Sequence, residues 1–103
     1  MRPILMAGLT AGLLAWTGVA VAQSGNKLQV QGWAATCSTC HGTDGRAVPN
    51  SIPLAGKSGA DMYEKMLDYK NDVRPSTVMG QITKGYSDEQ LGAIAAWFAA
   101  QKK

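Results

Sequence analysis

The stretch Cys37-Ser38-Thr39-Cys40-His41 decides how the rest of this 103-residue chain is interpreted. Two thiols separated by two residues, with a histidine directly after the second, form the pattern of a c-type haem attachment site. In that chemistry Cys37 and Cys40 add as thioethers across the two vinyl groups of haem, and His41 supplies an axial nitrogen to the iron. The pattern therefore predicts one covalent haem c, with His41 as a metal ligand.

Three other kinds of site share part of this pattern. A thioredoxin-like redox pair is expected in a βαβ unit with a first cysteine of low pKa, but no β-rich run precedes Cys37. A zinc site needs four ligands, and the chain has two cysteines and one histidine, so a carboxylate would have to complete it. A structural disulfide would close a very short loop and leave His41 without a role. These three alternatives are weaker than haem attachment.

The first 22 residues have the features of a secretory signal peptide. A single basic residue, Arg2, precedes an apolar stretch that ends in Ala20-Val21-Ala22, a small-x-small cleavage site. A retained membrane anchor is the alternative, because about 20 apolar residues can span a bilayer. Cleavage would leave one domain, residues 23–103, with no membrane contact. Since haem is attached to such proteins outside the cytoplasmic membrane, we expect a periplasmic location.

The size and charge of this domain exclude some functions. The full chain carries a net charge of +3 and has no long basic run, so nothing indicates nucleic-acid binding. The final pair Lys102-Lys103 is explained as a solvated terminus, with weak steering of an acidic partner as the alternative. So small a domain buries a modest core. We therefore expect the apoprotein to be largely unfolded and the haem to supply the apolar body around which helices pack.

Helical periodicity runs through the domain, with almost no alternating strand pattern. A first helix is predicted from Leu28 to Cys40, and a second from its N-cap Ser58 to about Lys70. The last helix begins after Ser87, which forms a capping box with Gln90. The predicted fold class is therefore all-α, with about four short helices around one covalent haem.

The first and last helices each carry a tryptophan at a candidate contact. Trp33 lies four residues before Cys37, one helical turn away. Trp97 lies beside the apolar face of the last helix, whose small residues allow a close approach. We expect Trp33 and Trp97 to mark the contact between these helices. Gly42-Thr43-Asp44-Gly45 predicts a turn after the histidine, and residues 46–51 an irregular loop.

Met79 is the best candidate for the second axial ligand, because the chain has no second histidine. Met62 and Met66 fit one face of the predicted second helix, where methionine usually packs. Met79 instead lies in a segment flanked by proline and glycine, where we expect a loop to deliver its thioether. A methionine–histidine pair raises the reduction potential relative to two histidines.

Pro53 is the candidate for orienting the histidine, because a metal-bound imidazole usually donates its other N–H to a carbonyl or carboxylate. Pro53 lies twelve residues after His41, and we expect its carbonyl to accept this hydrogen bond. The alternative is that Pro53 only rigidifies the loop. Lys57 and Arg74 are candidate partners of the haem propionates, and each is equally well explained as a solvated charge.

The sequence resembles the class I, mitochondrial-type cytochromes c over essentially all of residues 23–103. Four segments carry the resemblance: Cys37 to Gly42, Ile52 to Gly56, Met79 with Tyr86 seven residues later, and Ala96-Trp97-Phe98. The resemblance implies His41 and Met79 as axial ligands and the Pro53 carbonyl as the orienting group. It also implies packing between the positions of Trp33 and Trp97.

A narrower part of the chain is similar to the haem subunit of flavocytochrome c sulfide dehydrogenase. This similarity covers Thr77 to Glu89, with Tyr63, Leu67, Tyr69 and Arg74 before them. In that family the cytochrome docks on a FAD-containing subunit that oxidises sulfide, and it accepts the electrons. Familiar members often carry two haem domains, whereas this chain has one Cys-x-x-Cys-His motif.

The expected function is single-electron transfer by one haem, without catalysis by the chain itself. The resemblance implies a FAD-containing sulfide dehydrogenase subunit as the partner. The first alternative is a free periplasmic shuttle between other redox proteins. The second is a gas-binding or peroxidatic haem protein, which would require an open iron position that Met79 does not occupy.

Overall fold

The computed structural model describes residue 12 and residues 26–103. The described chain forms four helices, α1 (Lys27–His41), α2 (Gly59–Lys70), α3 (Met79–Thr83) and α4 (Asp88–Ala99), with a short 3₁₀ turn at Thr43–Gly45. No strand occurs in residues 26–103, and the predicted all-α class is confirmed. The predicted signal peptide and its boundary with the domain lie outside the described residues. None of the helices described is long and apolar enough to cross a membrane.

Side-chain caps fix where three of the helices begin. The Asn26 side chain accepts a hydrogen bond from the Gln29 backbone N–H at 2.9 Å at the start of α1. Ser58 caps α2 as predicted, accepting a backbone N–H at 3.2 Å. Ser87 and Gln90 form the predicted capping box at α4, with hydrogen bonds of 3.1 and 2.8 Å. Each cap satisfies a backbone donor that would otherwise have no partner within the helix.

The core lies where α1 meets α4. Ala34 of α1 is fully buried against Ile94 and Phe98 of α4, because a small residue on one helix lets large ones on the other approach closely. Trp33 and Trp97 both pack against this cluster, and the Trp97 ring meets Phe98 edge-on with centroids 5.0 Å apart. The predicted pairing of the first and last helices is confirmed.

The loop after the 3₁₀ turn is fastened to this core by backbone hydrogen bonds. The Gly45 carbonyl accepts from the N–H groups of Leu54 and Ala55 at 2.7 and 3.0 Å, and the Gly56 N–H donates to the Phe98 carbonyl at 3.0 Å. Gly45 has a φ of +76°, and a Cβ there would lie 2.7 Å from Cδ1 of Phe98. Only glycine fits this position, because it tolerates positive φ and has no side chain to clash.

The second helix closes the other side of the molecule by packing on α4. Gly92 leaves room for the Tyr63 ring, which would lie 3.6 Å from a Cβ at that position. The Lys70 ammonium group near the end of α2 donates to the Tyr86 carbonyl at 2.8 Å and to the Asp88 carboxylate at 2.7 Å. These contacts tie the end of α2 to the start of α4.

The segment before the last helix differs from the sequence prediction. Residues 71–78 form turns and irregular structure, but Met79 begins the short helix α3 instead of lying in a loop. The residue before it, Val78, makes no side-chain capping hydrogen bond. The Ser76 hydroxyl serves instead, accepting from the Gly80 N–H at 2.7 Å. The cap of α3 thus comes from Ser76, two residues before the usual capping position at Val78, and the helix begins at Met79.

Candidate functional site

The two thiols and the histidine lie together in the last turn of α1. Cys40 and His41 lie three and four residues after Cys37, so both are close to Cys37 on the same side of the helix. Both thiols are free, Cys40 exposed and Cys37 partly buried against the α1–α4 core. The helix ends directly after His41 because Gly42 takes a φ of +86° and its N–H donates to the Ser38 carbonyl.

The surroundings of Cys37 oppose the redox-pair alternative. Burial raises the pKa of the Cys37 thiol above its ordinary value, and a weaker effect of a backbone hydrogen bond acts in the opposite direction. A thioredoxin-like pair needs a first cysteine of lowered pKa. The zinc alternative gains no support either, because residues 26–103 contain no group of three or more histidine, cysteine or acidic side chains able to hold a metal.

The His41 ring is oriented by a hydrogen bond to the loop that follows the 3₁₀ turn. Its Nδ1 lies 2.7 Å from the Ile52 carbonyl oxygen. Since a carbonyl can only accept, Nδ1 is the donating nitrogen of this contact, and Nε2 is the nitrogen left to bind a metal. A histidine held in this way presents Nε2 to a metal.

The carbonyl acceptor differs from the sequence prediction by one residue. The Pro53 carbonyl was expected to accept from His41, and the structure has the Ile52 carbonyl in that role. Pro53 still contributes, because proline restricts the preceding residue to extended backbone and so limits where the Ile52 carbonyl can point. The signal that could have identified Ile52 was its position directly before a proline.

The three methionines of the described chain lie in different settings. Met62 of α2 packs against the α1–α4 core, which confirms its predicted packing role. Met66 is partly buried on the same helix. Met79 is partly buried at the first position of α3, a separate element that packs on α2. Its role as an axial ligand stays a prediction.

The residues present fit a covalent haem. Two thiols can form the thioether links to the macrocycle, and one imidazole nitrogen and one methionine thioether are the donors that His/Met ligation of the iron requires. Apolar side chains beside both candidate ligands face outward: Ile52, next to the His41 contact, is 70% exposed, and Val78, next to Met79, is 54% exposed. Both side chains are therefore accessible at the surface beside the candidate ligands.

The two candidate propionate partners lie in different places. Lys57 is exposed and lines a shallow surface groove with Arg46 and Pro53, close to the loop that contacts His41. Arg74 is exposed after α2, with its guanidinium carbon 5.7 Å from the centroid of the Tyr69 ring. A contact with the haem propionates stays a prediction for each.

Comparison with known proteins places the chain among cytochromes. It is 40% identical over 68 residues to the cytochrome subunit of sulfide dehydrogenase from Chlorobaculum tepidum, covering 66% of this chain and 62% of that protein. It is 40% identical over 95 residues to cytochrome c4 from Pseudomonas aeruginosa, covering 91% of this chain but 45% of that one. No protein-family model matches.

A shorter relative matches over most of its own length. Cytochrome c-554(548) from Halomonas halodenitrificans is 32% identical over 71 residues, which is 65% of this chain and 86% of that protein. This chain therefore spans most of one relative and about half of the cytochrome c4 relative. The identity, the helical fold and the Cys37–His41 motif agree. The chain belongs to the class I c-type cytochromes, whose cofactor is covalently attached haem c.

Proposed function

We propose that this protein carries single electrons on one covalent haem held by Cys37 and Cys40, with His41 and Met79 as its axial ligands. The observation that supports this most strongly is the His41 Nδ1 contact to the Ile52 carbonyl at 2.7 Å. It fixes the imidazole in the tautomer that offers Nε2 to iron, on the residue that directly follows the attachment motif.

Each residue of the site has a separate task in this proposal. Haem supplies the one-electron ferric/ferrous couple. Cys37 and Cys40 anchor it to the end of α1, a helix held in the core by Ala34. The Ile52 carbonyl keeps the His41 ring in one orientation, which increases its basicity as a ligand. Met79 would occupy the remaining axial position, keep small molecules from the iron and raise the potential.

Covalent attachment is tested by producing the full chain in a bacterial strain competent in haem attachment. The expected product is red, contains one haem per chain, and retains that haem after denaturation in acidic acetone. Cys37→Ala combined with Cys40→Ala should release the haem in that solvent, whereas Thr39→Ala, an exposed position inside the same motif, should retain it. A colourless product from the competent strain would contradict the proposal.

A gas-binding or peroxidatic protein is the competing function, and carbon monoxide distinguishes it from a carrier. With Met79 bound to the iron, the ferrous protein should bind carbon monoxide slowly and weakly. Met79→Ala should bind it readily, because the sixth position is then open. Ready binding by the unaltered protein would favour the competing function and contradict the six-coordinate carrier.

The partner we propose is a FAD-containing sulfide dehydrogenase subunit. The support is the similarity to a cytochrome subunit of sulfide dehydrogenase, over 66% of this chain. In this proposal the chain transfers electrons, and no residue of it acts on sulfide. A free shuttle serving other redox enzymes is the alternative, and the similarity to cytochrome c4 over 91% of the chain favours it equally on sequence grounds.

Haem and flavin content, measured together on untagged protein from the native periplasmic fraction, separate these partners. Stoichiometric FAD on a larger co-purifying chain would support the dehydrogenase subunit, and sulfide would be the first substrate to test. A lone haem protein without flavin would contradict it and support the shuttle. The same preparation tests export, since a first residue of Gln23 would support cleavage after Ala22.

A further inference from the structure

The short helix that carries Met79 cannot hold its own position. Helix α3 has five residues, and Val78 before it makes no side-chain cap. Isolated helices of this length do not form in water, because ordering the first turn costs more than its hydrogen bonds return. The place of Met79, the first residue of α3, must therefore be set by contacts with side chains and with neighbouring elements.

Thr83 makes one of these contacts from inside the protein. Its hydroxyl donates to the Met79 carbonyl at 2.8 Å and lies 3.3 Å from the Gly80 carbonyl. Thr83 is 1% exposed, and it is the one buried polar residue among residues 26–103. A buried hydroxyl keeps its partner because breaking the bond strands a polar group away from water. Thr83 is the last residue of α3 itself, so this bond braces the two ends of the short helix, and the burial of Thr83 holds one of those ends inside the protein.

A second contact holds the same turn from the outside. The exposed Ser76 hydroxyl accepts from the Gly80 N–H at 2.7 Å. A Cβ at Gly80 would lie 3.0 Å from that hydroxyl and 3.4 Å from the Tyr69 carbonyl of α2, so the backbone of α3 lies close against α2. The peptide unit between Met79 and Gly80 is thus held on both sides, its carbonyl by Thr83 and its N–H by Ser76.

We propose that Thr83 and Ser76 are positioning residues for the Met79 ligand: by fixing this peptide unit, they strengthen the bond between the thioether and the iron. The proposal rests on the proposed function, since it requires Met79 to be an axial ligand. Each acts through the backbone from which the Met79 side chain extends.

The physical reason is the flexibility of methionine. Its side chain has three rotatable bonds and adapts to many geometries, so it gives little directional control by itself. If the backbone of α3 were also free, ligation would have to order the backbone as well as the side chain. The entropy lost in doing so would reduce the free energy of binding between the thioether and the iron. A backbone fixed in advance leaves only the side chain to be ordered. A neutral thioether bond of limited strength is sensitive to this difference.

The test compares two substitutions at Thr83 in the haem-loaded protein. Thr83→Val keeps the shape and removes the hydroxyl, whereas Thr83→Ser keeps the hydroxyl and removes a methyl group. We expect Thr83→Val to weaken the far-red sulfur-to-iron band of the ferric protein. We also expect it to tighten the binding of added imidazole, which competes with Met79, by about two- to tenfold, the effect of one hydrogen bond. Thr83→Ser should stay close to the unaltered protein.

Ser76→Ala provides a second variant that does not depend on a buried site. Because Ser76 is exposed, this chain should fold, and the band and imidazole affinity should shift in the same direction as in Thr83→Val. Ser58→Ala is the matched control, since it removes a hydroxyl cap of α2 away from Met79. Shifts as large in Ser58→Ala would overturn the proposal, because they would report general stability and not ligand position.

Met79→Ala separates failure of this proposal from failure of the proposed function. If the unaltered protein has the far-red band and Met79→Ala loses it, Met79 is the ligand. If the far-red band and the affinity for imidazole are then unchanged in Thr83→Val and Ser76→Ala, the positioning role is overturned while Met79 remains the ligand. If the unaltered ferric protein lacks the band, the ligand assignment fails, and the positioning role fails with it.

Discussion

The crossing of α1 and α4 is built differently from two other segments, residues 46–57 and 71–83. We call these two the ligand segments, because the first contains Ile52, whose carbonyl contacts His41, and the second contains the candidate ligand Met79. The helix crossing is packed from apolar side chains, with Ala34, Ile94 and Phe98 each 1% exposed or less. The ligand segments rely on backbone and hydroxyl hydrogen bonds and leave Ile52 and Val78 exposed. The crossing is thus held by apolar packing, whereas the ligand segments are held mainly by hydrogen bonds.

Backbone conformation sharpens the same contrast. Of the four non-glycine residues with positive φ in the described chain, three lie in the ligand segments: Ala47, Asn50 and Asp72. Such a conformation costs an ordinary residue roughly 1–2 kcal/mol. The Ala47 N–H donates to the His41 carbonyl at 2.7 Å, so part of this cost is offset by holding the chain at the histidine. Positive-φ backbone thus occurs in the ligand segments and not in the described helix crossing, and Ala47, next to the His41 contact, is the one of the three whose residue type rarely adopts it.

The largest expected effect is on the reduction potential, and it should differ between Met79 in a ligand segment and Met62 at the helix crossing. Met79→Ala should lower the reduction potential by a sizeable part of the ~0.8 V range that axial ligands control. Met62→Ala, which removes packing against the helix crossing, should leave the potential nearly unchanged and lower stability. Redox titration of both haem-loaded variants measures this. The opposite pattern would move the ligand assignment to Met62.

A substitution in the helix crossing should cost stability without altering the ligands. Phe98→Ala should lower the free energy of unfolding by about 3–5 kcal/mol, the usual cost of emptying a buried aromatic site. Denaturant unfolding of the haem-loaded protein measures the loss, and the far-red band reports ligation in the folded state. Ala96→Ser, exposed on the same helix, should change stability by less than about 0.5 kcal/mol. Loss of the band with unchanged stability would contradict the separation of the two regions.

Gly45 joins the two regions, and replacing it should affect both. Gly45→Ala puts a methyl group against Phe98 and Leu54 at a φ of +76°, for an expected loss of about 2–4 kcal/mol. Gly32→Ala is the control, because a Cβ on that face of α1 meets nothing within 4 Å. The control should be stabilising by up to about 1 kcal/mol. Thermal unfolding of both variants measures the difference, and equal stabilities would show that the 3₁₀ turn adapts freely.

The smallest expected effect concerns the start of α4. Ser87→Ala removes half of the capping box and should lower stability by about 1 kcal/mol, because the Gln90 N–H loses its partner. Denaturant unfolding measures this loss, and the far-red band should not change. A weakened band would show that the cap of α4 affects ligation of the iron, and would contradict the separation of the helix crossing from the ligand segments.

The sequence predicted the helix crossing well because its signals are local. Ser58 and the Ser87–Gln90 pair cap neighbouring backbone groups, and such contacts are readable from three-residue spacing. The periodic apolar face of the last helix identified its buried side. Helix α1 runs from Lys27 to His41, one residue beyond the prediction at each end.

The ligand segments were predicted less completely because their geometry depends on contacts distant in sequence. Which carbonyl faces His41 depends on how the loop is fastened at Gly45 and Gly56, so Ile52 was missed in favour of Pro53. Helix α3 was not predicted around Met79, because it is held by hydrogen bonds from Ser76 and Thr83 and has no helical periodicity that the sequence could reveal. The spacing of Met79 and Thr83 suits a hydroxyl-to-carbonyl bond, but burial of Thr83 cannot be read from it.

Whether Met79 binds the iron can be seen in the NMR spectrum of the ferrous, haem-loaded protein with methyl-labelled methionine. A thioether bound to the iron lies over the haem face, where the ring current moves its methyl resonance far upfield. We predict one such resonance, lost in Met79→Ala and kept in Met62→Ala and Met66→Ala. A spectrum with every methionine methyl in its ordinary range, or an upfield resonance that survives Met79→Ala, would show that Met79 is not the ligand.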